Sequence, residues 1–245
     1  MNTSEKVKYI SNWIKSYVDQ MPSKAESLVV GISGGIDSSV SSTLSAMTGL
    51  RTIVLSMPIK QKENQHDLSL KHQAWLVKNF KNVEAHTISL DNLFESFSST
   101  LGKFNNEHGF ANSRARLRMA TLYQVAAANK GIVVGTGNKV EDFGVGFYTK
   151  YGDGGVDISP IADCNKTEVW ELGKELGILK EIIDAPPTDG LWDDGRTDEG
   201  QLGFKYEDLE DAMANPDSPH KTEYEKIRKQ NLHKMEPIPV CKIPS

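Results

Sequence analysis

The chain has 245 residues, 38% hydrophobic and 25% charged, values that fit an ordinary folded protein and argue against disorder. Its formal net charge of −5 speaks against a broad basic surface for nucleic acid, so an anionic ligand has to be met by a local group of cations. Two cysteines, Cys164 and Cys241, are too few for a disulfide scaffold or a Cys-rich zinc site, and no apolar run approaches the ~20 residues of a membrane span.

In chain order, Val7, Ile10, Ile14, Tyr17 and Val18 stripe an opening helix. That stretch has no h-region and no small-residue cleavage site, so it is not read as a signal peptide, and the expected compartment is the cytoplasm. Leu28 to Ile32 reads as a strand running into a glycine-rich turn, with a helix from about Asp37 to Met47. Thr52 to Met57 is a second strand, stopped by Pro58. A helix from about Gln65 to Phe80 and a third strand from Val83 to Ser89 follow. Asp91 to Phe104 and Asn112 to Asn129 look helical, Gly131 to Thr136 is a fourth strand, and Val156 to Ile158 is a short fifth strand ending at Pro160. Asn165 with Glu168 three positions later is a capping box, opening a helix to about Leu176 that Gly177 closes.

From Ala185 to Phe204 the pattern breaks, with Pro186, Pro187 and several glycines among Asp189, Asp193, Asp194, Asp198 and Glu199. A loop of this length in a compact domain is expected to be a mobile lid, 185–204, with Trp192 as its apolar anchor. The remainder, about Lys205 to Met235, is helical and polar. Short apolar strands separated by helices predict one α/β domain over 1–245. Its parallel sheet is doubly wound, with helices on both faces.

The strongest chemical signal is Gly31-Ile32-Ser33-Gly34-Gly35-Ile36-Asp37-Ser38-Ser39, between the first strand and its helix. Glycines let backbone N–H groups converge on an anion, the helix N-terminus adds a positive dipole, and Ser33, Ser38 and Ser39 add hydroxyls. No Gly-Lys-Ser/Thr closes the loop, and the G-x-G-x-x-G spacing fails, so neither common nucleotide fingerprint applies. A carboxylate inside an anion cradle repels phosphate unless a cation sits between them, so Asp37 implies Mg²⁺. The plainer alternative is a strand-to-helix turn with Asp37 as a helix-start residue.

The SGGIDSS stretch resembles the pyrophosphatase loop of the N-type ATP pyrophosphatase (PP-loop) superfamily, whose sheet is Rossmann-like, of the adenine nucleotide alpha-hydrolase kind. GTGNKVE (135–141), FYTKYGDGGVD (147–157), Pro187-Thr188 and His233-Lys234 resemble the NAD⁺ synthetase family, and the likeness covers nearly the whole chain. The stretch after Thr136 is one residue longer before Phe147 than the family's commoner form.

This resemblance implies an ammonia-dependent ligase that adenylates deamido-NAD⁺ with ATP and amidates it with NH₃, releasing AMP and pyrophosphate. By the same resemblance Gly31, Ile32, Ser33, Gly34, Gly35, Ile36, Asp37, Ser38 and Thr136 would hold ATP, and Lys166 and Thr188 would contact its phosphates. Asp37 and Glu141 would be Mg²⁺ ligands. Arg116, Lys150, Asp157, His233 and Lys234 would bind deamido-NAD⁺. Arg116 is chosen over Arg114 and Arg118 because Ala115 to Met119 best matches the family's pattern. Asp153 would orient or deprotonate ammonium. The implied assembly is a homodimer with its acceptor pocket near the subunit interface.

On residue types alone, Glu141 reads as a solvated helix residue and His233 as a cation at a helix C-terminus, while Lys166 reads equally as a solvent-facing lysine. Asp193-Asp194-Gly195 does not fit a calcium loop, and the six histidines show no zinc-site spacing. The rival functions are another PP-loop adenylating enzyme, such as a GMP synthetase-like ATP pyrophosphatase, and a non-catalytic ATP-binding module. Neither cysteine has a recognisable base beside it, so nitrogen from glutamine is not expected. Partners are small molecules, without nucleic acid or membrane.

Overall fold

The computed structural model describes residues 1–60, 63–188 and 197–244, with side chains resolved outside 61–66. The chain forms α1 (Thr3–Gln20), β1 (Ser27–Gly31), α2 (Ile36–Met47), β2 (Arg51–Ser56), α3 (Glu63–Asn79), β3 (Val83–Thr87), α4 (Asp91–Thr100), α5 (Glu107–Ala128) and β4 (Gly131–Val134). After a π-helical turn at Lys139–Val145 come α6 (Lys166–Glu175), α7 (Lys180–Ile183), α8 (Asp198–Leu202), α9 (Tyr206–Ala214) and α10 (Lys221–Met235). No described helix is long and apolar enough to cross a membrane.

The four strands are all parallel and lie in the order β3-β2-β1-β4, with Val29 opposite both Ile53 and Val133. The chain winds outward from β1 to β3 and then returns to place β4 on the other side of β1. This reversal opens a crevice at the carboxyl ends of β1 and β4, where α/β sheets hold ligands. Strand side chains alternate between two cores. Leu28, Val30, Val54, Ile132 and Val134 pack under α1, α2 and α6. Val29, Ile53, Leu55 and Val133 pack under α4 and α5. Near-continuous apolar strands are thus buried on both faces, as a doubly wound sheet requires. A third cluster, with Val140, Val145, Tyr206, Leu209 and Tyr224, seats α9 and α10 on the π-helical turn.

Several sequence expectations are corrected. Val156 to Ile158 makes only an isolated parallel bridge, Val134 to Ile158. The ladder stops because the N–H of Val133 donates to the Asp157 carboxylate at 2.7 Å as well as the chain turning at Pro160. Tyr17, at the rim of the α1 stripe, is 42% exposed and lies beside Trp13, while Val7, Ile10, Ile14 and Val18 are buried. Helix α5 starts at Glu107, because Asn106 caps it by accepting the Gly109 N–H at 2.7 Å. The polar C-terminal stretch is two helices, broken by the prolines at 216 and 219. Within 185–204, α8 is helical, capped by Thr197 and closed by Gly203 in the left-handed region at φ +77°. Residues 189–196, including Trp192, lie outside the described residues.

Candidate active site

The β1–α2 loop closes on itself through its own hydroxyls. Gly35 N–H donates to Ser33 Oγ at 3.2 Å, Ser33 Oγ meets Ser38 Oγ at 3.1 Å, and Ser38 Oγ donates back to Gly35 O at 3.1 Å. Gly34 sits at φ +91°, which a residue with a Cβ adopts only with strain. No side chain caps α2, whose N-cap is Gly35, so its first-turn N–H groups remain free of a capping oxygen. These features make the turn an anion cradle set in a rigid ring of hydrogen bonds.

The cradle forms one wall of a cavity of about 220 Å³ lined by Gly31, Ile32, Ser33, Asp37, Ser38, Thr136, Glu141, Asp153 and Thr188, with Met57, Met119, Leu122 and Val156 as an apolar side. Gly34 and Gly35 shape the turn rather than line the cavity. Ile36 points the other way, buried against Gly173 of α6.

Three charged side chains meet beside the cradle. Lys166 Nζ donates to Asp37 Oδ2 at 2.6 Å and to Glu141 Oε1 at 2.9 Å, and its side chain is 1% exposed. Asn138 holds the group from below. Its Nδ2 donates to Asp37 Oδ1 at 3.1 Å, while its Oδ1 accepts the N–H groups of Val140 and Glu141, each at 3.0 Å. Tyr206 donates its hydroxyl to Glu141 Oε1 at 2.5 Å. Glu141 is carried on the π-helical turn, which takes up more chain per turn than an α turn does.

Lys166 opens α6 against the helix dipole, which would disfavour a cation there. Two carboxylates outweigh that. Burial pulls the ammonium pKa down, but Asp37 and Glu141 raise it further, so Lys166 stays charged. Burial pushes the Asp37 carboxyl above the usual carboxylate range against the pull of Lys166. Glu141 also suffers burial, yet Lys166 and the Tyr206 and Asn138 hydrogen bonds bring it below its ordinary value. Neither Lys166 nor Glu141 is therefore a solvated surface residue. The α6 end is itself fixed by the Asn165 capping box and by the ion pair of Glu168 with Lys6 on α1.

Asp153 accepts the Thr149 N–H at 3.0 Å and lines the cavity beside Asp142. Burial, together with the charges of Asp153, Glu141 and Asp37, holds the Asp142 carboxyl well above the ordinary range.

The expected acceptor residues divide. Arg116 Nε donates to the Lys150 carbonyl at 3.2 Å and Lys150 Nζ to the His233 carbonyl at 3.4 Å. Lys234 Nζ donates to the Tyr148 carbonyl at 2.8 Å, and the Tyr148 hydroxyl returns a bond to the Lys234 carbonyl at 2.5 Å. These four basic residues thus form one cluster outside the cavity. Asp157 stands apart, taken by Val133 N–H and by the Tyr123 hydroxyl at 2.9 Å. Arg114 lies over the Phe94 ring and Arg118 donates to the Met57 carbonyl at 3.0 Å, so the alternating arginines point to three different neighbours.

Two carboxylates that already share one cation suit Mg²⁺, a hard ion that takes one or two carboxylates and fills its shell with water and substrate phosphate. Among the described residues no group of three or more His, Cys, Asp or Glu side chains is placed to hold a metal ion. Asn138, Asp142, Asp198 and Tyr206 were not singled out from sequence. Tyr206 had no local signal at all, since its contact with Glu141 spans 65 positions.

The chain matches the family model described as NAD synthase over residues 6–243. It is 37% identical over 216 residues to an NH(3)-dependent NAD(+) synthetase of Carboxydothermus hydrogenoformans, an alignment covering 86% of this chain and 85% of that one. Among solved structures, an NMN synthetase from Francisella tularensis superposes with a TM-score of 0.91 at 32% identity, covering 99% of this chain and 100% of the other. An NH3-dependent NAD synthetase from Campylobacter jejuni superposes with a TM-score of 0.80 at 23% identity over 99% of this chain and 100% of that one, a likeness of fold.

Proposed function

The chain belongs to the NAD synthase family, and we propose on that premise that the Asp37–Lys166–Glu141 centre is where it works as an ammonia-dependent NAD⁺ synthetase. It is an ATP-dependent ligase forming a C–N bond, with deamido-NAD⁺ and ammonia as the other substrates. The nicotinate carboxylate attacks the α-phosphorus of ATP, pyrophosphate leaves, and ammonia displaces AMP from the acyl adenylate.

The observation that supports this reading best is the convergence of two carboxylates on one buried cation at the rim of an anion cradle. Asp37 and Glu141 would hold Mg²⁺, which supplies positive charge for the departing pyrophosphate. The α2 N-terminus and the loop N–H groups hold the phosphates without reorganising, as electrostatic catalysis requires. Lys166 and the Thr188 hydroxyl act on the same phosphates. The Arg116, Lys150, His233 and Lys234 cluster holds the anionic acceptor. Asp157 serves that site indirectly, by fixing the 156–158 segment and Tyr123. Asp153 attracts ammonium and takes its proton on the carboxylate. A cytoplasmic homodimer completes the reading, and its mass in solution is directly measurable.

A second reading concerns the acceptor alone. The tighter superposition reported above is on an NMN synthetase, which favours nicotinate mononucleotide as an acceptor in place of the dinucleotide. One assay addresses both. With ATP, Mg²⁺ and ammonium, AMP, pyrophosphate and amide should appear in equal amounts with deamido-NAD⁺, and the ratio of kcat/KM for the two acceptors ranks them. Activity should rise with pH as ammonium deprotonates, and glutamine in ammonia-free buffer should not substitute. No AMP with either nicotinate nucleotide would leave only a GMP synthetase-like activity or a binding module.

We also assign a covering role to 185–204. Thr188 and Asp198, on either side of 189–196, both line the cavity, and the Asp198 N–H donates to the Pro187 carbonyl at 3.0 Å. ATP and deamido-NAD⁺ together should protect this segment from limited proteolysis. Equal cleavage with and without both ligands would count against a lid.

A further inference from the structure

Tyr206 is among the largest fully buried side chains of the protein, at 1% exposure. Packing alone does not ask for a hydroxyl there. Its ring meets Trp170 edge-on at 5.9 Å and sits in the cluster of Val140, Leu209 and Tyr224, surroundings that a phenylalanine ring would fill as well. A buried phenol needs a partner, and this one is a carboxylate of the catalytic centre. The hydroxyl donates to Glu141 Oε1 at 2.5 Å and lies 3.4 Å from Asp198 Oδ2. The Tyr206 N–H donates to Glu199 Oε1 at 3.2 Å, so both ends of the residue are tied down.

Oε1 of Glu141 thus takes two donors, Lys166 and Tyr206. Two donors on one oxygen hold the carboxylate in a single orientation toward the cavity that Glu141 lines. Hydrogen bonds to an ionised acceptor are roughly twice as strong as neutral ones, and outer partners of this kind set the orientation of metal ligands.

We propose that Tyr206 is a positioning residue for the reaction, its hydroxyl fixing the Glu141 carboxylate in the orientation that, with Asp37, holds the divalent cation. This rests on the reading of Asp37 and Glu141 as the metal pair. Burial and the neighbouring charges of Glu141 and Asp198 push the phenol pKa far up, so Tyr206 acts as a donor throughout the working range of the enzyme.

The test is Tyr206→Phe, with Mn²⁺ as probe, titrated into protein saturated with a non-hydrolysable ATP analogue and read by the EPR signal of free Mn²⁺. The expected result is Mn²⁺ affinity weakened about 10- to 100-fold. The Mg²⁺ dependence of turnover should move by the same factor, with kcat at saturating Mg²⁺ close to that of the unaltered enzyme. Tyr224→Phe, the neighbouring buried tyrosine, should leave Mn²⁺ binding unchanged. Glu141→Gln is run alongside. If it weakens Mn²⁺ binding and Tyr206→Phe does not, the role of Tyr206 is overturned and the metal pair stands. If Glu141→Gln has no effect, the metal pair falls and the proposal with it. Loss of the ATP analogue itself in Tyr206→Phe would make the residue a support of the fold and would also overturn the proposal.

Discussion

Replacing Lys166 by methionine should lower the melting temperature of the metal-free protein by about 10 °C and abolish amide synthesis. Methionine keeps an unbranched apolar stem, so what is lost is the charge, which lies 4.9 Å from the centre of the Tyr206 ring and 6.0 Å from that of Trp170. Asp37 and Glu141 then remain buried, with Asn138 donating to Asp37 and Tyr206 to Glu141. Removing one partner of a buried ion pair costs about 3–5 kcal/mol, because the other charge is left uncompensated. In a protein of this size each kcal/mol shifts the midpoint by about 2–4 °C.

The loss should depend on pH. Burial already raises the Asp37 carboxyl, and without Lys166 it rises further. A carboxyl whose folded pKa exceeds its unfolded one is stabilising when protonated, and that contribution fades as pH rises through the folded pKa. The deficit of the variant is therefore smallest in acid and grows toward neutral pH. Added Mg²⁺ should recover part of it, and recover more than it adds to the unaltered protein. A calorimetric midpoint within about 2 °C of the unaltered protein would sink this account of the centre.

Asp37→Asn should do the opposite, sparing the fold and stopping the chemistry. Asparagine preserves size and an oxygen for Asn138, and Lys166 keeps Glu141 as its counter-charge. The buried group becomes less charged, so its desolvation is eased. Turnover, however, loses one of two metal carboxylates and should fall about 1,000-fold, equivalent to about 4 kcal/mol of barrier. Pyrophosphate release across a Mg²⁺ series is the measurement. Activity like that of the unaltered enzyme at limiting Mg²⁺ would remove Asp37 from the metal site.

The parts of this site that could be read from sequence are those that are contiguous in it. Gly31 to Ser39 carries its glycines, hydroxyls and carboxylate within one turn, so its chemistry is legible without a fold. The centre beside it is not. Lys166 meets Asp37 across 129 positions and Glu141 across 25, and residue types alone left all of that open. The family resemblance brought Lys166 to the phosphates and the carboxylates to a metal. It did not indicate that the lysine stands between them. Strand periodicity placed the four-strand sheet correctly, since buried parallel strands are apolar runs. It overreached at 156–158, where the Asp157 side chain takes a backbone donor, an event with no signature in hydrophobicity. It fell short at the start of α5, where Gly109 conceals a helix that Asn106 caps.

The basic cluster at Arg116, Lys150 and Lys234 spends its hydrogen bonds on backbone carbonyls. A carbonyl orients a cation without cancelling it, so the cluster keeps its cations on a chain of net charge −5, with Asp153 and Asp142 as the carboxylates that act on Lys234. At physiological salt the reach of the cluster's potential is about 8 Å, short compared with the molecule. A phosphate-bearing molecule arriving from solution is therefore not drawn in from a distance. It meets mild repulsion from the protein as a whole and attraction only in the last few ångströms. The cluster sorts orientations at the doorstep, and raising the ionic strength should weaken retention there without slowing arrival.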